Sequence, residues 1–264
     1  MGATFRQVDL YDHPHYYDVI FDDGSAEEAD FLEAVHREYG PSKGRKGVLE
    51  PACGTGRLII EMAKRGYPAH GFDASAPMLE YARKRAGQEG VQLRLTEQRM
   101  EDFKLASLVP LAFSLISSFK YLLTEALALA HLRCISEVLV EGGVFVLGLH
   151  LTDYARDHPV HERWVVERDG VEVVCNTRSW PADRRRRRER VRNRLTVTDA
   201  KDIKRHESSW EFRTYSAAQL RQLLKKVPEL ERVAAFDFSY DLNDPRALDD
   251  SQEDIALVLR KRSI

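Results

Sequence analysis

The chain has 264 residues, 43% hydrophobic and 31% charged, which suits one large α/β domain with an insertion or two modest domains. Forty lysines and arginines against forty-two aspartates and glutamates give a net charge of −2, so overall charge does not favour nucleic acid or anionic membranes. The three cysteines lack CxxC and zinc-ligand spacing, and no signal core or long apolar run occurs. These features predict a cytoplasmic protein with reduced thiols, no metal site and no membrane partner.

The first two thirds of the chain alternate between strand and helix patterns. Ser25 is predicted to cap a helix that ends at Gly40 and Pro41. Strands are predicted at 47–50, 68–73, 91–95, 111–118 and 144–151, and helices at 56–65, 76–86 and 124–139, the last stopped by Gly142 and Gly143. This alternation predicts a parallel, doubly wound sheet with helices on both faces.

Beyond residue 151 the pattern changes to alternating runs with turn signals. The stretch "ERDGVE" (167–172) is a hairpin signal, and antiparallel strands are predicted through 152–215. A helix behind Ser216 and a closing pair of strands follow. We therefore expect a core at 1–151 including an N-terminal arm, an antiparallel β insertion at 152–215, and completion of the core sheet at 216–264.

The stretch "VLEPACGTGR" (48–57) places an acid at the end of a strand and two glycines in the loop that follows. A dinucleotide loop needs a third glycine, and Ile59 stands in its place. The spacing instead favours a ligand without a pyrophosphate, lying on the backbone of the loop.

These residues resemble motif I of the class I (Rossmann-like) S-adenosylmethionine-dependent methyltransferases, and "GFDASAPML" (71–79) resembles their second motif. The resemblance implies a seven-stranded, mostly parallel sheet and S-adenosylmethionine as the cofactor. It also implies that Asp73 accepts hydrogen bonds from the ribose hydroxyls. The implied cofactor-binding residues are Glu50, Ala52, Cys53, Gly54, Gly56, Arg57, Asp73, Ala74, Met78, Met100, Glu101, Ser117 and Tyr16.

Two positions depart from the family pattern. Arg99 stands where the third motif has the acid that accepts from the adenine amino group, and Ser114 replaces the aspartate of the fourth strand. Met100 and Glu101 are the residues left to contact adenine. The alternative for Met100 is packing beneath the sheet.

The acceptor of the methyl group has no signature in this chain. The motifs of adenine, amide and cytosine methylation are absent, since the fourth strand ends in "SSFKY" (117–121). His150 and Tyr121 are the candidate catalytic residues because they follow strands that end where the methyl donor should lie. A structural role for His150 is an equal alternative. Candidate substrate residues are Tyr17, Ser118, Arg178, Trp210 and Arg213.

The arginine run at 184–194 alternates with apolar residues, which predicts a strand with one apolar face and one salt-bridged arginine face. A cap over an anionic substrate is the second interpretation, and an RNA platform is the third. The sequence therefore predicts a methyltransferase acting on oxygen or nitrogen of a small molecule, with no role for nucleic acid. The alternatives are an RNA or protein methyltransferase that docks through the insertion, and a cofactor-binding protein without turnover.

Overall fold

The fold is described from a computed structural model that covers residues 4–41 and 46–263. In chain order its strands are β1 (Arg6–Gln7), β2 (Val48–Pro51), β3 (Ala69–Asp73), β4 (Leu93–Glu97), β5 (Val109–Ser114), β6 (Leu139–His150), β7 (Val160–Arg168), β8 (Val171–Ser179), β9 (Arg188–Thr198), β10 (Ile203–Arg213), β11 (Leu230–Phe236) and β12 (Asp254–Lys261). The helices are α1 (Pro14–Phe21), α2 (Ser25–Tyr39), α3 (Arg57–Lys64), α4 (Ala76–Gln88), α5 (Glu125–Val138) and α6 (Ala217–Leu224). Two short 3-10 turns span Leu10–Asp12 and Ser118–Tyr121.

Seven strands form the central sheet in the spatial order β11-β12-β6-β5-β2-β3-β4. The pairs from β6 to β4 are parallel, and β12 runs antiparallel to both of its neighbours. The predicted doubly wound, mostly parallel sheet is confirmed. The chain leaves β2 for β3 on one side and reaches β5 on the other, so the strand order reverses between β2 and β5. In open α/β sheets such a reversal creates a crevice at the carboxyl ends of the strands.

The strands of the central sheet are apolar because helices cover both faces. One layer packs α5 and α6 against residues such as Phe72 and Phe145, and the other packs α2 and α3 against Phe113 and Val146. Successive residues of a strand enter opposite layers, as the two-residue period of a strand requires. The middle of the central sheet, such as β5, is therefore buried on both sides, which fixes the positions of the loops at its carboxyl edge.

The insertion forms a second sheet in the order β1-β10-β9-β8-β7. Its four long strands are antiparallel, and the predicted hairpin turn is confirmed at Asp169 and Gly170, both with positive φ. The N-terminal β1 adds to β10 in parallel. Because β1 and α1 contact the insertion, the N-terminal segment joins the two sheets.

Three predicted element ends were wrong. Gly24, with φ 80°, precedes α2, and Ser25 instead donates its hydroxyl to the Asp22 carbonyl oxygen. The fourth core strand ends at Ser114 because the following backbone turns into the left-handed region. Helix α5 ends at Val138 and leads directly into β6, so Gly142 and Gly143 lie within a strand.

The helix α1 was not predicted, although its sequence gives a reason for it. Pro14 occupies its first turn, where a missing N–H group costs nothing. Val19 and Ile20 pack against Val173 and Leu195 of the insertion. Asp18, which is 3% exposed, pairs with Arg85 of α4 and Arg168 of β7. One buried carboxylate thus connects the core to the insertion.

Candidate functional site

The loop between β2 and α3 is shaped by left-handed residues. Ala52, Gly54 and Gly56 have φ values of 52°, 53° and 77°. A Cβ atom at Gly56 would lie 3.1 Å from the Ala82 Cβ, so this glycine permits α3 to approach α4. A Cβ atom at Gly54 would meet only the Tyr17 ring, at 3.9 Å. Gly54 therefore keeps the backbone of the loop open toward a ligand, whereas Gly56 serves helix packing.

Asp73, at the end of β3, fixes this loop. One carboxylate oxygen accepts from the Gly54 N–H at 2.9 Å, and the other accepts from the Ser75 N–H at 2.8 Å. Burial raises the pKa of Asp73, and the bonds from the backbone N–H groups act against that rise. Each oxygen retains a second lone pair for another donor.

Buried charges lie beneath the loop. Arg57 donates to the Ser25 hydroxyl at 2.9 Å and pairs with Glu28 at 2.8 Å. Burial raises the pKa of Glu50 well above its usual range, while the guanidinium of Arg57 acts to lower it. Burial likewise raises the pKa of Tyr17 to about 12, so its phenol stays protonated.

The N-terminal segment closes one side of the site with aromatic residues. Tyr11 donates its hydroxyl to the Tyr121 hydroxyl at 2.6 Å, and the Ser75 hydroxyl donates to the Tyr11 carbonyl oxygen at 3.4 Å. Burial raises the pKa of Tyr11 and of Tyr121, so both phenols are neutral. Tyr11 therefore spans the two loops that follow β3 and β5.

The turn after β5 and the end of β6 carry the catalytic candidates, Tyr121 and His150. Ser117, with φ 67°, accepts a hydrogen bond at its hydroxyl from the His150 N–H at 3.1 Å. The His150 ring is exposed in the cavity and lies 5.2 Å from the Phe238 ring, centroid to centroid. Desolvation by the surrounding cavity walls and the nearby Lys120 ammonium lower the pKa of His150, which leaves the imidazole neutral near pH 7. A neutral imidazole accepts a proton.

A cluster of buried charges joins the core to the insertion. Lys120 is 4% exposed and Glu189 is 9% exposed. Glu189 accepts from Lys120 at 3.4 Å and from Arg156 at 2.8 Å. Burial lowers the pKa of Lys120, and the Glu189 carboxylate acts to raise it. We call Lys120, Arg156 and Glu189 the charged clamp.

Sequence reasoning missed the charged clamp. The only available signal was the position of Glu189 on the apolar face of β9, in register with Val191 and Leu195. A charged residue on a buried strand face needs a partner. The sequence does not show that this partner is Lys120, 69 residues earlier in the chain.

The core and the insertion enclose one large cavity of about 1540 Å³. Its walls include Gly54 from the glycine-rich loop, Ile116 from the turn after β5, and Trp210 from β10. A pocket for a single small ligand typically measures about 300–1,000 Å³. The cavity therefore has room for a cofactor and an acceptor together.

Many of the predicted site residues line this cavity. The cofactor candidates among them are Glu50, Ala52, Cys53, Gly54, Arg57 and Ser117. The catalytic and substrate candidates among them are Tyr17, Ser118, Tyr121, His150 and Trp210. The loops after β2, β5 and β6 thus meet at one edge of the sheet.

Other cofactor candidates lie outside the cavity wall. Asp73 accepts from the Gly54 N–H without itself lining the cavity, and Gly56 packs between helices. Ala74 is exposed beside Asp73, whereas Met78 is fully buried.

The predicted adenine contacts are not brought to the cavity either. Met100 packs into the core, where its carbonyl oxygen lies 2.9 Å from the His131 Nδ1. Glu101 pairs with the exposed Arg99 at 2.6 Å. The side chain at the unusual position 99 therefore contacts solvent and a neighbouring acid.

Three further candidates, Tyr16, Arg178 and Arg213, do not line the cavity. Tyr16 packs against the His206 ring of β10, with centroids 5.8 Å apart, because the next residue of the helix takes the position facing the loop. Arg178 lies over Trp180 on the outer face of the insertion, since Thr177 and Ser179 face the cavity. Arg213 donates to the Leu123 carbonyl oxygen at 3.2 Å and is 7% exposed.

The predicted arginine face of the insertion is confirmed. Val191, Leu195 and Val197 are buried on the inner face, and the arginines between them point outward. Arg192 and Arg194 pair with Glu207, and Arg190 stacks on Trp180 at 3.9 Å. The arginines of the outer face thus form ion pairs with acids of the neighbouring strand or stack on an aromatic ring.

Residues 4–41 and 46–263 contain neither a membrane-spanning helix nor a cluster of metal-binding side chains. No helix there is long and apolar enough to cross a membrane. No group of three or more His, Cys, Asp or Glu side chains in that part of the chain could hold a metal ion.

Comparison with known proteins places the site in context. Residues 48–143 match the family described as a methyltransferase domain. Over 140 residues the chain is 31% identical to the dTDP-3-amino-3,4,6-trideoxy-alpha-D-glucopyranose N,N-dimethyltransferase of Streptomyces venezuelae, covering 52% of this chain and 56% of that protein. The chain spans about half the length of the curated relatives it matches.

Two solved structures share the fold along nearly the whole chain. An S-adenosylmethionine-dependent methyltransferase from Clostridium acetobutylicum ATCC 824 superposes with a TM-score of 0.76 at 20% identity, over 97% of this chain and 100% of that one. DesVI of Streptomyces venezuelae superposes with a TM-score of 0.75 at 21% identity, over 98% and 100%. The architecture, including the inserted sheet, is therefore common to these proteins.

Proposed function

We propose that the protein transfers a methyl group from S-adenosylmethionine to a small molecule, because residues 48–143 match a methyltransferase domain and the chain shares its fold with an S-adenosylmethionine-dependent methyltransferase. One observation carries the proposal. The open backbone at Gly54, held by the Asp73 carboxylate, faces a cavity that also exposes a neutral His150. A cofactor loop and a proton acceptor thus border the same space.

The residues around the loop fit S-adenosylmethionine. Asp73 keeps free lone pairs for ribose hydroxyls, and the buried Glu50 oxygen Oε2 makes no hydrogen bond with the described residues. A buried carboxyl oxygen without a hydrogen-bond partner costs free energy, and a polar partner on a ligand removes that cost. When bound, the cofactor supplies a methyl group on a sulfonium that is already an activated leaving group.

The protein's own residues then have three tasks. The loop after β2 and Tyr17 hold one ligand, and the insertion covers the other, which aligns them and excludes water. The His150 imidazole, neutral near pH 7, takes the proton that the acceptor loses. No carboxylate cluster or metal is needed for these tasks.

We propose an amino nitrogen as the acceptor, with a hydroxyl oxygen as the second choice. The Streptomyces venezuelae relative is named as an N,N-dimethyltransferase of an amino sugar. Among the described residues, seven Asp and Glu side chains line the cavity against four Lys and Arg. The Glu162 side chain, on β7, makes no hydrogen bond or ion pair with the described residues, and Glu162 lines the cavity. Such a wall attracts an amine more than an anion.

The anionic substrate expected from the sequence has less support. It rested on Arg178 and Arg213, and neither lines the cavity. Arg156 and Arg184 do line it, and Arg156 is already paired with Glu189. The expectation that nucleic acid is no substrate stays a prediction. It is supported by the ion pairs that arginines on the outer face of the insertion form with Glu207 and Glu211.

Isothermal calorimetry tests the proposal. We expect S-adenosylhomocysteine to bind with micromolar or tighter affinity and NAD to give no heat, because the loop lacks the third glycine of a dinucleotide site. Transfer of labelled methyl from S-adenosylmethionine should then be measured over a panel of small amines and alcohols. Binding of NAD without a response to S-adenosylhomocysteine refutes the cofactor, and binding without product across the panel supports a protein without turnover.

A further inference from the structure

The turn after β5 contains an unusual backbone. Ile116 and Ser117 have consecutive φ values of 55° and 67°, both in the left-handed region. Glycine, asparagine and aspartate tolerate this region, but a β-branched residue there is an outlier. The conformation at Ile116 is therefore strained, and something in the fold must maintain it.

Hydrogen bonds and close contacts with neighbouring residues hold this turn in its conformation. The Ser117 N–H donates to the Gly148 carbonyl oxygen at 3.2 Å, and the Ser117 hydroxyl accepts from the His150 N–H at 3.1 Å. The Lys120 N–H donates to the Ser117 carbonyl oxygen at 2.9 Å. A Cβ atom at Gly148 would lie 3.4 Å from the Ile116 nitrogen, so the adjacent strand leaves the turn no spare room.

The strain places an apolar side chain in the cavity rather than in the core. Ile116 is 42% exposed, and it lines the cavity. Burial of an apolar side chain of this size stabilises a protein, yet the turn directs this one into the cavity. Strained residues that leave such a side chain uncovered are found at ligand sites.

The position in the sheet indicates which ligand this is. β5 pairs with β2, and the loop after β2 begins with Ala52, also left-handed at φ 52°. These two loops border the crevice where the strand order reverses, which is where an open α/β sheet binds its ligand. Ile116 and the glycine-rich loop thus face the same crevice.

We propose that Ile116 is a positioning residue whose side chain packs against the cofactor in the crevice between β2 and β5. The inference rests on the proposed function, since it takes S-adenosylmethionine as the ligand. The ligand covers the exposed part of the side chain, so the protein exchanges local stability for affinity. The left-handed conformation of Ile116 then accounts both for the backbone strain and for the contact with the cofactor.

Two substitutions test this role. Ile116→Gly removes the strain and the side chain together, so we expect a higher unfolding midpoint without ligand and a Kd for S-adenosylhomocysteine about tenfold higher. Ile116→Ala removes most of the side chain but keeps a Cβ atom in the left-handed region, so the Kd should rise without the same gain in midpoint. Both quantities are measured by thermal unfolding and calorimetry on the full chain.

Two control variants separate the effects. Leu108→Ala removes an apolar side chain that is 55% exposed and lies outside the cavity wall. Asp169→Gly relieves a left-handed residue, φ 54°, in the hairpin turn of the insertion. Neither control should change the Kd for S-adenosylhomocysteine.

The outcomes distinguish this inference from the proposed function. An unchanged Kd in both Ile116 variants overturns the positioning role while leaving the cofactor assignment intact. A lower midpoint in Ile116→Gly overturns it as well, because the side chain would then be a packing residue. A wild-type protein that does not bind S-adenosylhomocysteine refutes the proposed function and this inference with it.

Discussion

His131 shows how a buried side chain sets the response of the protein to pH. It is fully buried among Phe103, Phe119 and Phe145, and its Nδ1 lies 2.9 Å from the Met100 carbonyl oxygen. Burial lowers the pKa of His131 to about 4. The unfolded chain therefore takes up a proton first as the pH falls, and stability is lost between about pH 6.5 and pH 4.

We expect His131→Gln to reduce this loss. The amide keeps a donor for the Met100 carbonyl oxygen but does not titrate. From the pKa values, His131 should account for about 2 kcal/mol of the stability lost between pH 7.5 and pH 5. Urea unfolding of both proteins at the two pH values measures the difference. An equal loss in the variant would show that His131 titrates normally.

Asp73 holds the glycine-rich loop and is proposed to bind the ribose of the cofactor, and one substitution tests both roles. Its carboxylate holds the Gly54 and Ser75 N–H groups, so Asp73→Asn keeps one acceptor and turns an amide N–H₂ toward the other donor. We expect a loss of about 1–3 kcal/mol in stability and weaker binding of S-adenosylhomocysteine. Urea unfolding and calorimetry measure the two effects. Binding as tight as in the wild type would remove the ribose role.

At the level of the elements, the charged clamp attaches the insertion to the core. Lys120 belongs to the 3-10 turn after β5, Glu189 is the second residue of β9, and Arg156 lies in the segment between the two sheets. A buried ion pair contributes little against an apolar replacement, but losing one partner leaves an uncompensated charge. The clamp therefore specifies where the insertion sits more than it stabilises the fold.

A double-mutant cycle tests this. Glu189→Gln should lower the free energy of unfolding by about 3 kcal/mol, because Lys120 and Arg156 lose their carboxylate. Adding Lys120→Met should recover part of that loss. Glu211→Gln breaks a more exposed pair, 3.8 Å from Arg188, and should cost less than about 1 kcal/mol. Additive losses in the cycle would show that Lys120 and Glu189 do not interact.

At the scale of the whole molecule, the central sheet could be predicted from local patterns. Continuous apolar runs such as 144–149 and the glycine-rich loop carry their signal within a few residues. The site depends on distant pairs that carry no local signal. Tyr11 reaches Tyr121 across 110 positions, and α1 is short enough to be missed by periodicity.

Strand alternation explains why only some of the substrate candidates line the cavity. On β10, Ser208, Trp210 and Phe212 line the cavity, whereas the Arg213 side chain donates to the Leu123 carbonyl oxygen. The alternation was visible in the sequence, but which face met the core was not. That choice depends on how β1 and α1 pack against the inserted sheet.

The place of β12 in the sheet constrains the order in which the protein can fold during synthesis. β12 lies between β6 and β11, and its residues 255–259 are fully buried. Until residue 254 has left the ribosome, β6 is therefore an edge strand with unpaired backbone groups and apolar side chains on both faces. β1 likewise cannot pair until its partner residues 206 and 207 have been synthesised. We expect the nascent chain to bind chaperones through β6, and its ligand site to form only after β12 has been synthesised.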